Sequence, residues 1–219
     1  MTSKEARARI DEIGIVPSAR VKLPEHARFA AEAVYSGGIP VIEIPLTLPE
    51  APAVIEDLAK RYPCLVVGAG TVLSEESARR SIDAGARFLT SPGLIPEVVA
   101  CARKADVVVF PGALTPTEVI AAWSAGADFV KIFPAAAAGG AKFVRALKVP
   151  LPHIPLIVTG GVTQLTAFDY ILAGASAIGV GVELLPYVAL LNRQDYRIHE
   201  LARRFLNMVK EARAQRDGK

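Results

Sequence analysis

Short apolar runs recur along the chain and alternate with segments whose apolar residues have helical spacing. Eight such runs begin at Gly14, Ile39, Cys64, Ala86, Ala105, Ala127, Ile154 and Ala175. They are almost continuously apolar, which is typical of parallel strands covered by helices. Consecutive runs are separated by about the length of one strand plus one helix. The pattern therefore predicts an α/β fold, a (β/α)8 TIM barrel, with a doubly wound open sheet as the alternative.

Glycines mark the ends of several predicted helices. The segments "DAGA", "SAGA" and "LAGA", at 83–86, 124–127 and 172–175, each place a glycine just before the next strand. Glycine suits the left-handed residue that closes a helix. The opening segment "MTSKEARARIDEIG" has apolar residues at helical spacing, which predicts an extra N-terminal helix. No linker interrupts the pattern, so we expect residues 1–219 to form a single barrel domain.

The composition argues against several classes of protein. Hydrophobic residues make up 52% of the chain, but no segment approaches the ~20 consecutive apolar residues of a membrane helix. The start lacks the apolar core of a signal peptide, so we expect a cytoplasmic protein. The net charge of +3 includes no long block of like charge, so binding to nucleic acid or to a membrane is not indicated. Neither the histidines nor the two cysteines, Cys64 and Cys101, have metal-binding spacing, and we expect both cysteines to be buried.

Two charged residues interrupt the apolar strands. Lys131 stands between Val130 and Ile132 in "ADFVKIFPAA", and Glu43 stands in "IPVIEIPL". Alternate residues of a barrel strand face the centre and the helices. Because Val130 and Ile132 suit the helix layer, Lys131 should point inward, and the same argument applies to Glu43. Both residues lie near the carboxyl ends of their strands, where barrel enzymes build their active sites.

Two interpretations of this lysine and glutamate remain open. One is a buried ion pair that only fills the barrel, although such pairs rarely add stability because desolvation is costly. The other is a catalytic pair. Burial disfavours charge on the amine of Lys131, and a free amine attacks a carbonyl to give a Schiff base. Glu43 would then be the general acid and base that moves protons.

Glycines and a threonine at other strand ends suggest anion binding. "TGGVT" (Thr159–Thr163) ends the seventh strand and "GVGVE" (Gly179–Glu183) ends the eighth. Loops at these positions frequently bind phosphate through backbone N–H groups, although a tight turn would also use glycine. "GAGTV" presents Thr71, which suits either a substrate carboxylate or a helix cap. The candidate binding residues are Thr71, Gly160, Gly161 and Gly181.

In this order the motifs resemble the class I aldolase family of 2-keto-3-deoxy-6-phosphogluconate (KDPG) aldolase and 4-hydroxy-2-oxoglutarate (KHG) aldolase. The related 2-keto-3-deoxy-6-phosphogalactonate (KDPGal) aldolases belong to the same group. The matching pieces are "GGIPVIEIPL", "VGAGTVL", "FLTSPG", "FPGALTPTE", "FVKIFPA" and "TGGVT". They extend over nearly the whole predicted barrel, so the resemblance is specific.

The resemblance implies a role for each matching residue. Lys131 would form the Schiff base, Glu43 would be the general acid and base, and Phe133 would pack beside the imine. Thr71 would bind the pyruvate carboxylate, and the glycine pair of "TGGVT" would bind the substrate phosphate. The family also implies a homotrimer and an enzyme that needs no cofactor, because the lysine itself activates the keto-acid substrate.

The chain departs from the family pattern at several positions. Thr47 stands where phosphogluconate-type members commonly carry an arginine, and Val182 stands where a serine is expected. An acidic residue of the family is replaced by Ala136 or Ala137. Arg20 aligns with an arginine of the phosphogalactonate branch and suits bidentate binding of a carboxylate or phosphate, or else an exposed salt bridge.

We therefore predict a carbon–carbon lyase that cleaves a 2-keto-3-deoxy sugar acid phosphate to pyruvate and glyceraldehyde 3-phosphate. Cleavage of 4-hydroxy-2-oxoglutarate to pyruvate and glyoxylate is a related possibility. The departures leave two alternatives open: an aldolase for an unphosphorylated or different 2-keto acid, and a catalytically silent barrel that binds keto acids.

Overall fold

The computed structural model of the protein describes residues 1–218, in which strands and helices alternate along the chain. The strands are β1 Ile15–Pro17, β2 Val41–Pro45, β3 Val66–Gly70, β4 Phe88–Thr90, β5 Val108–Phe110, β6 Gly112–Ala113, β7 Val130–Ile132, β8 Leu156–Thr159 and β9 Ala177–Val180. The helices are α1 Ser3–Ile13, α2 Pro24–Ser36, α3 Ala51–Arg61, α4 Glu75–Asp83, α5 Pro96–Lys104, α6 Pro116–Ser124, α7 Gly140–Lys148, α8 Ala167–Leu172, α9 Tyr187–Leu191 and α10 Asp195–Arg216.

The strands form a closed parallel barrel. One group is ordered β1-β9-β8-β7-β6 and the other β2-β3-β4-β5. A parallel bridge between Ser18 and Glu43 joins the end of β1 to β2. On the other side, β5 and β6 flank Pro111, whose carbonyl oxygen accepts a hydrogen bond from the amide of Lys131 at 2.9 Å. They are therefore two halves of one barrel strand, interrupted where proline lacks an amide hydrogen. The predicted (β/α)8 barrel is confirmed.

The predicted helix signals agree with the structure. Gly85, Gly126 and Gly174 have φ angles of 100°, 102° and 106°, in the left-handed region that favours glycine. The N-terminal helix α1 precedes the barrel, begins with a capping box between Thr2 and Glu5, and ends at Gly14. The last strand is followed by the short α9 and by α10, which packs against α2 and α8. Among residues 1–218, no helix is both long and apolar enough to cross a membrane.

Aromatic side chains fill the lower part of the barrel. The rings of Phe88 and Phe110 stack with centroids 5.0 Å apart, and Phe129 meets Phe110 edge-on at 5.3 Å. Phe110 also lines the cavity above, so this aromatic layer forms its floor. Burying such side chains contributes roughly 1.5–3 kcal/mol each. Lys131 and Glu43, which line this cavity, lie above the aromatic layer.

The expectation that both cysteines are buried was wrong for Cys64 and is met only in part for Cys101. Cys64 is exposed, whereas Cys101 in α5 is half-buried. The apolar run was assigned to a strand from Cys64 onward, but β3 begins at Val66. Cys64 instead lies in a turn that is closed by a hydrogen bond from the amide of Leu65 to the carbonyl of Tyr62, at 2.9 Å.

Candidate active site

A cavity of about 340 Å³ opens at the carboxyl ends of the strands. Lys131 from β7 and Glu43 from β2 both line it, as the alternation of inward and outward residues predicted. It collects seven of the eight residues that were singled out in the sequence, namely Arg20, Glu43, Lys131, Phe133, Gly160, Gly161 and Gly181. The strand ends therefore bring together side chains that are far apart in sequence.

The eighth residue, Thr71, lies in an adjoining cavity of about 420 Å³. Thr47 lines the same cavity, while Lys131, Glu43 and Arg20 line both cavities. Thr71 and the glycine loops therefore stand on opposite sides of the lysine. A substrate attached to Lys131 would extend toward Thr71 at one end and toward the glycines at the other.

A chain of hydrogen bonds connects the lysine to the glutamate. The amine of Lys131 donates to Oγ1 of Thr90 at 3.3 Å, and the hydroxyl of Thr90 donates to Oε2 of Glu43 at 2.8 Å. The hydroxyl of Ser18 donates to the other carboxylate oxygen, Oε1, at 2.9 Å. No direct ion pair joins Lys131 to Glu43 among the residues that the structure describes. The simple buried ion pair considered above is thus not the arrangement found.

Two neighbours shape the space around this chain. Nζ of Lys131 lies 5.7 Å from the ring centroid of Phe133, which places the ring beside the position of an imine. A Cβ atom at Gly70 would lie only 2.3 Å from Oγ1 of Thr90 and 2.8 Å from Cδ of Glu43. Gly70 is therefore required because the two polar side chains occupy the space of its missing side chain.

The far end of the cavity is built from backbone. Gly160 and Gly161 have φ angles of 87° and 81°, and a Cβ atom at Gly161 would lie 2.4 Å from Cβ of Ala136. Both conformation and packing therefore require glycine there. The side chain of Arg20 runs past Gly181, since its Cδ would be 3.5 Å from a Cβ at that position. The loops thus leave space for an anion next to a guanidinium group.

Five further polar residues of the site were not singled out from the sequence. Oγ1 of Thr159 is buried without a hydrogen-bond partner and its residue lines the cavity. Glu183 also lines the cavity, 3.5 Å from the amide of Gln164. Ser18 and Thr90 are the two donors to Glu43. Thr163, which follows the glycine pair, lines the cavity as well. All five lie at or just beyond the carboxyl end of a strand, as Lys131 and Glu43 do, but none is a charge within an apolar strand.

Metal ligation has no obvious place in this arrangement. Within residues 1–218, no three His, Cys, Asp or Glu side chains are grouped so as to hold a metal ion. The charged groups of the cavity are instead one lysine, one arginine and two glutamates. This donor set suits covalent binding of a carbonyl compound and recognition of an anion.

Comparison with known proteins gives a consistent result. The family "KDPG and KHG aldolase" matches residues 6–201. The KHG/KDPG aldolase of Escherichia coli is 36% identical over 190 residues, which cover 86% of this chain and 89% of that protein. A probable 2-dehydro-3-deoxy-6-phosphogalactonate aldolase of Rhizobium meliloti is 37% identical over 164 residues, which cover 74% of this chain and 76% of the relative.

The structural comparison reaches the same family. A crystal structure of KDPG aldolase from Legionella pneumophila, with pyruvate captured as a covalent carbinolamine, superposes with a TM-score of 0.83. Its sequence is 31% identical, and the superposition covers 90% of this chain and 96% of that one. The family match over residues 6–201 includes the strands that carry Lys131 and Glu43. The chain belongs to the KDPG and KHG aldolase family, whose members are carbon–carbon lyases.

Proposed function

We propose that the protein is a class I aldolase that cleaves a 2-keto-3-deoxy-6-phospho sugar acid to pyruvate and glyceraldehyde 3-phosphate. The observation that carries the proposal is the hydrogen-bonded line from Lys131 through Thr90 to Glu43 in a cavity that ends at a glycine loop. It combines a nucleophilic amine, a proton-transfer group and a place for an anion.

The reaction begins at the amine of Lys131. Its nitrogen attacks the keto carbon and passes a proton to the carbonyl oxygen, which gives a carbinolamine. A second proton, delivered to the hydroxyl group through Glu43, lets it leave as water, and an iminium ion remains. Glu43 removes the proton of the C4 hydroxyl, the C3–C4 bond breaks, and its electron pair moves toward the iminium nitrogen. The aldehyde leaves. The remaining enamine is protonated at C3 and hydrolysed, which releases pyruvate and restores the amine.

The two ends of the substrate fit the two sides of Lys131. The pyruvyl carboxylate would face Thr71 in the adjoining cavity, with Phe133 packed beside the imine. The phosphate would face the amides of Gly160, Gly161 and Gly181. Arg20 passes Gly181 and supplies a positive charge there. The same groups would accept the second carboxylate of 4-hydroxy-2-oxoglutarate, whose cleavage releases glyoxylate.

Borohydride trapping with pyruvate tests the covalent step. We expect a reduced pyruvyl adduct on Lys131, identified by peptide mass mapping, and loss of both adduct and cleavage activity in Lys131→Ala. Lys142, which lies on α7 outside the cavity, provides the matched control, and its replacement by alanine should leave trapping intact. Turnover by Lys131→Ala would refute the assignment, and the absence of any adduct would favour a silent keto-acid-binding barrel.

One observation favours a second class of substrate, a 2-keto-3-deoxy sugar acid without a phosphate. The carboxylate of Glu183 and the exposed side chain of Val182 line the same end of the cavity as the glycines. A carboxylate repels a phosphate and attracts hydroxyl groups instead. Comparing kcat/KM for a 2-keto-3-deoxy sugar acid with and without its 6-phosphate shows which of the two substrate classes the enzyme prefers. We expect the phosphorylated acid to be preferred by tenfold or more, on the order of 1.4 kcal/mol. Equal values would refute the phosphate site.

We further propose that the enzyme is a homotrimer in the cytoplasm. Exposed apolar side chains on α9, Tyr187, Val188 and Leu191, support burial against another copy of the chain. The cytoplasm follows from the substrate, because a phosphorylated sugar acid is too highly charged to cross a membrane unaided. Light scattering after gel filtration should give three times the chain mass of 23.2 kDa, and a monomer would contradict the proposal.

A further inference from the structure

The hydroxyl group of Thr90 contacts both Lys131 and Glu43, the two residues to which the proposed function gives the chemistry. We propose that Thr90 is a positioning residue that aligns the lysine amine with the glutamate carboxylate and keeps the two apart. This inference rests on the proposed Schiff-base mechanism. Thr90 is only 1% exposed, so water does not compete for its hydroxyl group and its two contacts are defined by the protein.

The directions of the two hydrogen bonds follow from the groups involved. A threonine hydroxyl has one hydrogen to donate, and an ionised carboxylate only accepts. At 2.8 Å from Oε2 of Glu43, the hydroxyl donates to the carboxylate, so it accepts an N–H of Lys131 at 3.3 Å. In the neutral amine this contact occupies one N–H and leaves the lone pair for the keto carbon. The iminium ion retains one N–H, so the same contact persists after water has left.

Thr90 also separates two groups that would otherwise attract one another. In a direct ion pair with the carboxylate, the nitrogen of Lys131 would have no lone pair to offer the keto carbon. The hydroxyl group stands between them, and Gly70 leaves room for it, because a Cβ there would lie 2.3 Å from Oγ1. Thr90 therefore links the two groups for proton movement without bringing them into a direct ion pair.

Ser18 provides the internal control. Its hydroxyl donates to Oε1 of Glu43 at 2.9 Å, on the opposite side of the carboxylate from Thr90. It holds the same carboxylate as Thr90 but makes no hydrogen bond to Lys131 among the described residues. Loss of Ser18 should therefore disturb proton transfer by Glu43, whereas loss of Thr90 should disturb both proton transfer and the lysine.

The test compares two steps with pyruvate alone. Borohydride trapping measures imine formation on Lys131, and exchange of the pyruvate methyl protons in D2O, followed by NMR, measures proton transfer by Glu43. We expect Thr90→Val to slow both by about tenfold or more, as for loss of a hydrogen bond to a charged group. Thr90→Ser should restore both to within about threefold of the wild type. Ser18→Ala should slow exchange clearly more than trapping.

The outcomes are distinguishable from a failure of the proposed function. An adduct on Lys131 in the wild type, with Thr90→Val as fast as the wild type in both assays, would overturn the role of Thr90 and leave the aldolase mechanism intact. Equal impairment of Thr90→Val and Thr90→Ser would also overturn it, because packing alone would then be responsible. No adduct in the wild type would overturn both proposals. Thr90→Ala replaces Thr90→Val if the valine variant does not fold.

Discussion

Replacing Gly70 by alanine should damage the proposed catalytic centre through a single methyl group. The added Cβ would lie 2.3 Å from Oγ1 of Thr90 and 2.8 Å from Cδ of Glu43, whereas ordinary contacts of a Cβ begin at 3.4 Å. The hydroxyl must therefore move by about 1 Å, because the side chain of Thr90 is short and the carboxylate of Glu43 is held by hydrogen bonds from Ser18 and Thr90. A displacement of that size breaks the 2.8 Å hydrogen bond between Thr90 and Glu43 or tilts both groups away from Lys131.

The expected magnitudes differ for stability and for catalysis. Overpacking a filled site costs typically 1–3 kcal/mol in the free energy of unfolding. Loss of a hydrogen bond to a charged acceptor costs roughly 1.5–3 kcal/mol, which corresponds to about a tenfold to hundredfold lower rate if it is expressed in the transition state. We therefore expect Gly70→Ala to fold with reduced stability and to lose at least nine-tenths of its cleavage rate.

Urea unfolding and aldol cleavage assays measure the two effects separately. The matched control is Gly93→Ala, because a Cβ at Gly93 would meet nothing within 4 Å and its backbone φ lies outside the left-handed range. Gly93 is on the loop that follows Thr90, so the control also probes the same region of the barrel mouth. A Gly70→Ala enzyme with the cleavage rate of Gly93→Ala would refute the idea that Gly70 makes room for the side chains of Thr90 and Glu43.

Two further predictions concern the substrate anion and the pH dependence of stability. Arg20→Ala should raise KM for the phosphorylated substrate by about tenfold, since the pair between the guanidinium group and the phosphate is lost. Trapping of pyruvate, which has no phosphate, should be affected less. Equal effects in both assays would place the phosphate elsewhere. Burial raises the pKa of Asp128 above its ordinary value of 3.8, although it accepts an N–H from Val109 and faces Arg103. A raised pKa adds stability that is present below pH 3.8 and is lost as the pH rises through the folded value. We therefore expect the free energy of unfolding of the wild type, minus that of Asp128→Asn, to fall as pH rises above about 4 in urea unfolding experiments. A difference that stays constant or rises would contradict this.

The barrel was predictable from the sequence because each strand–helix unit repeats the same local signals. The strand starts were nevertheless predicted one to three residues too early. The reason for the early predicted starts is seen at Ala86, Ala127 and Ala175. Their amides donate back to carbonyls of the preceding helices, at 3.0, 3.3 and 3.2 Å, and so close the helix end around the left-handed glycine. These apolar residues continue the hydrophobic run, but their amides belong to the helix and not to the sheet.

The proposed catalytic centre was predictable only in part. Lys131 and Glu43 stand out because charge in an apolar strand is costly and must be explained locally. Thr90 and Ser18 give no such signal, since short hydroxyl side chains are common in the turns that follow strands. Thr90 is 41 residues from Lys131 and 47 from Glu43 in the sequence, and Ser18 is 25 residues from Glu43. Contacts over such separations are set by the closure of the barrel, which a local pattern does not specify.

The register of the barrel explains why glycines accompany the functional side chains. Gly68 and Gly70 of β3 stand directly opposite Phe88 and Thr90 of β4, and Gly179 of β9 stands opposite Thr159 of β8. A Cβ at each of these glycines would lie 2.3 or 2.4 Å from the side chain opposite. Inward-facing residues of adjacent strands share a limited space, so a large or polar residue on one strand requires its neighbour to be small. The motif "GAGTV" drew attention through Thr71, as a ligand for a carboxylate or as a helix cap. Its two glycines make room for side chains of β4: Gly68 for the aromatic floor, and Gly70 for the hydroxyl group that links Glu43 to Lys131.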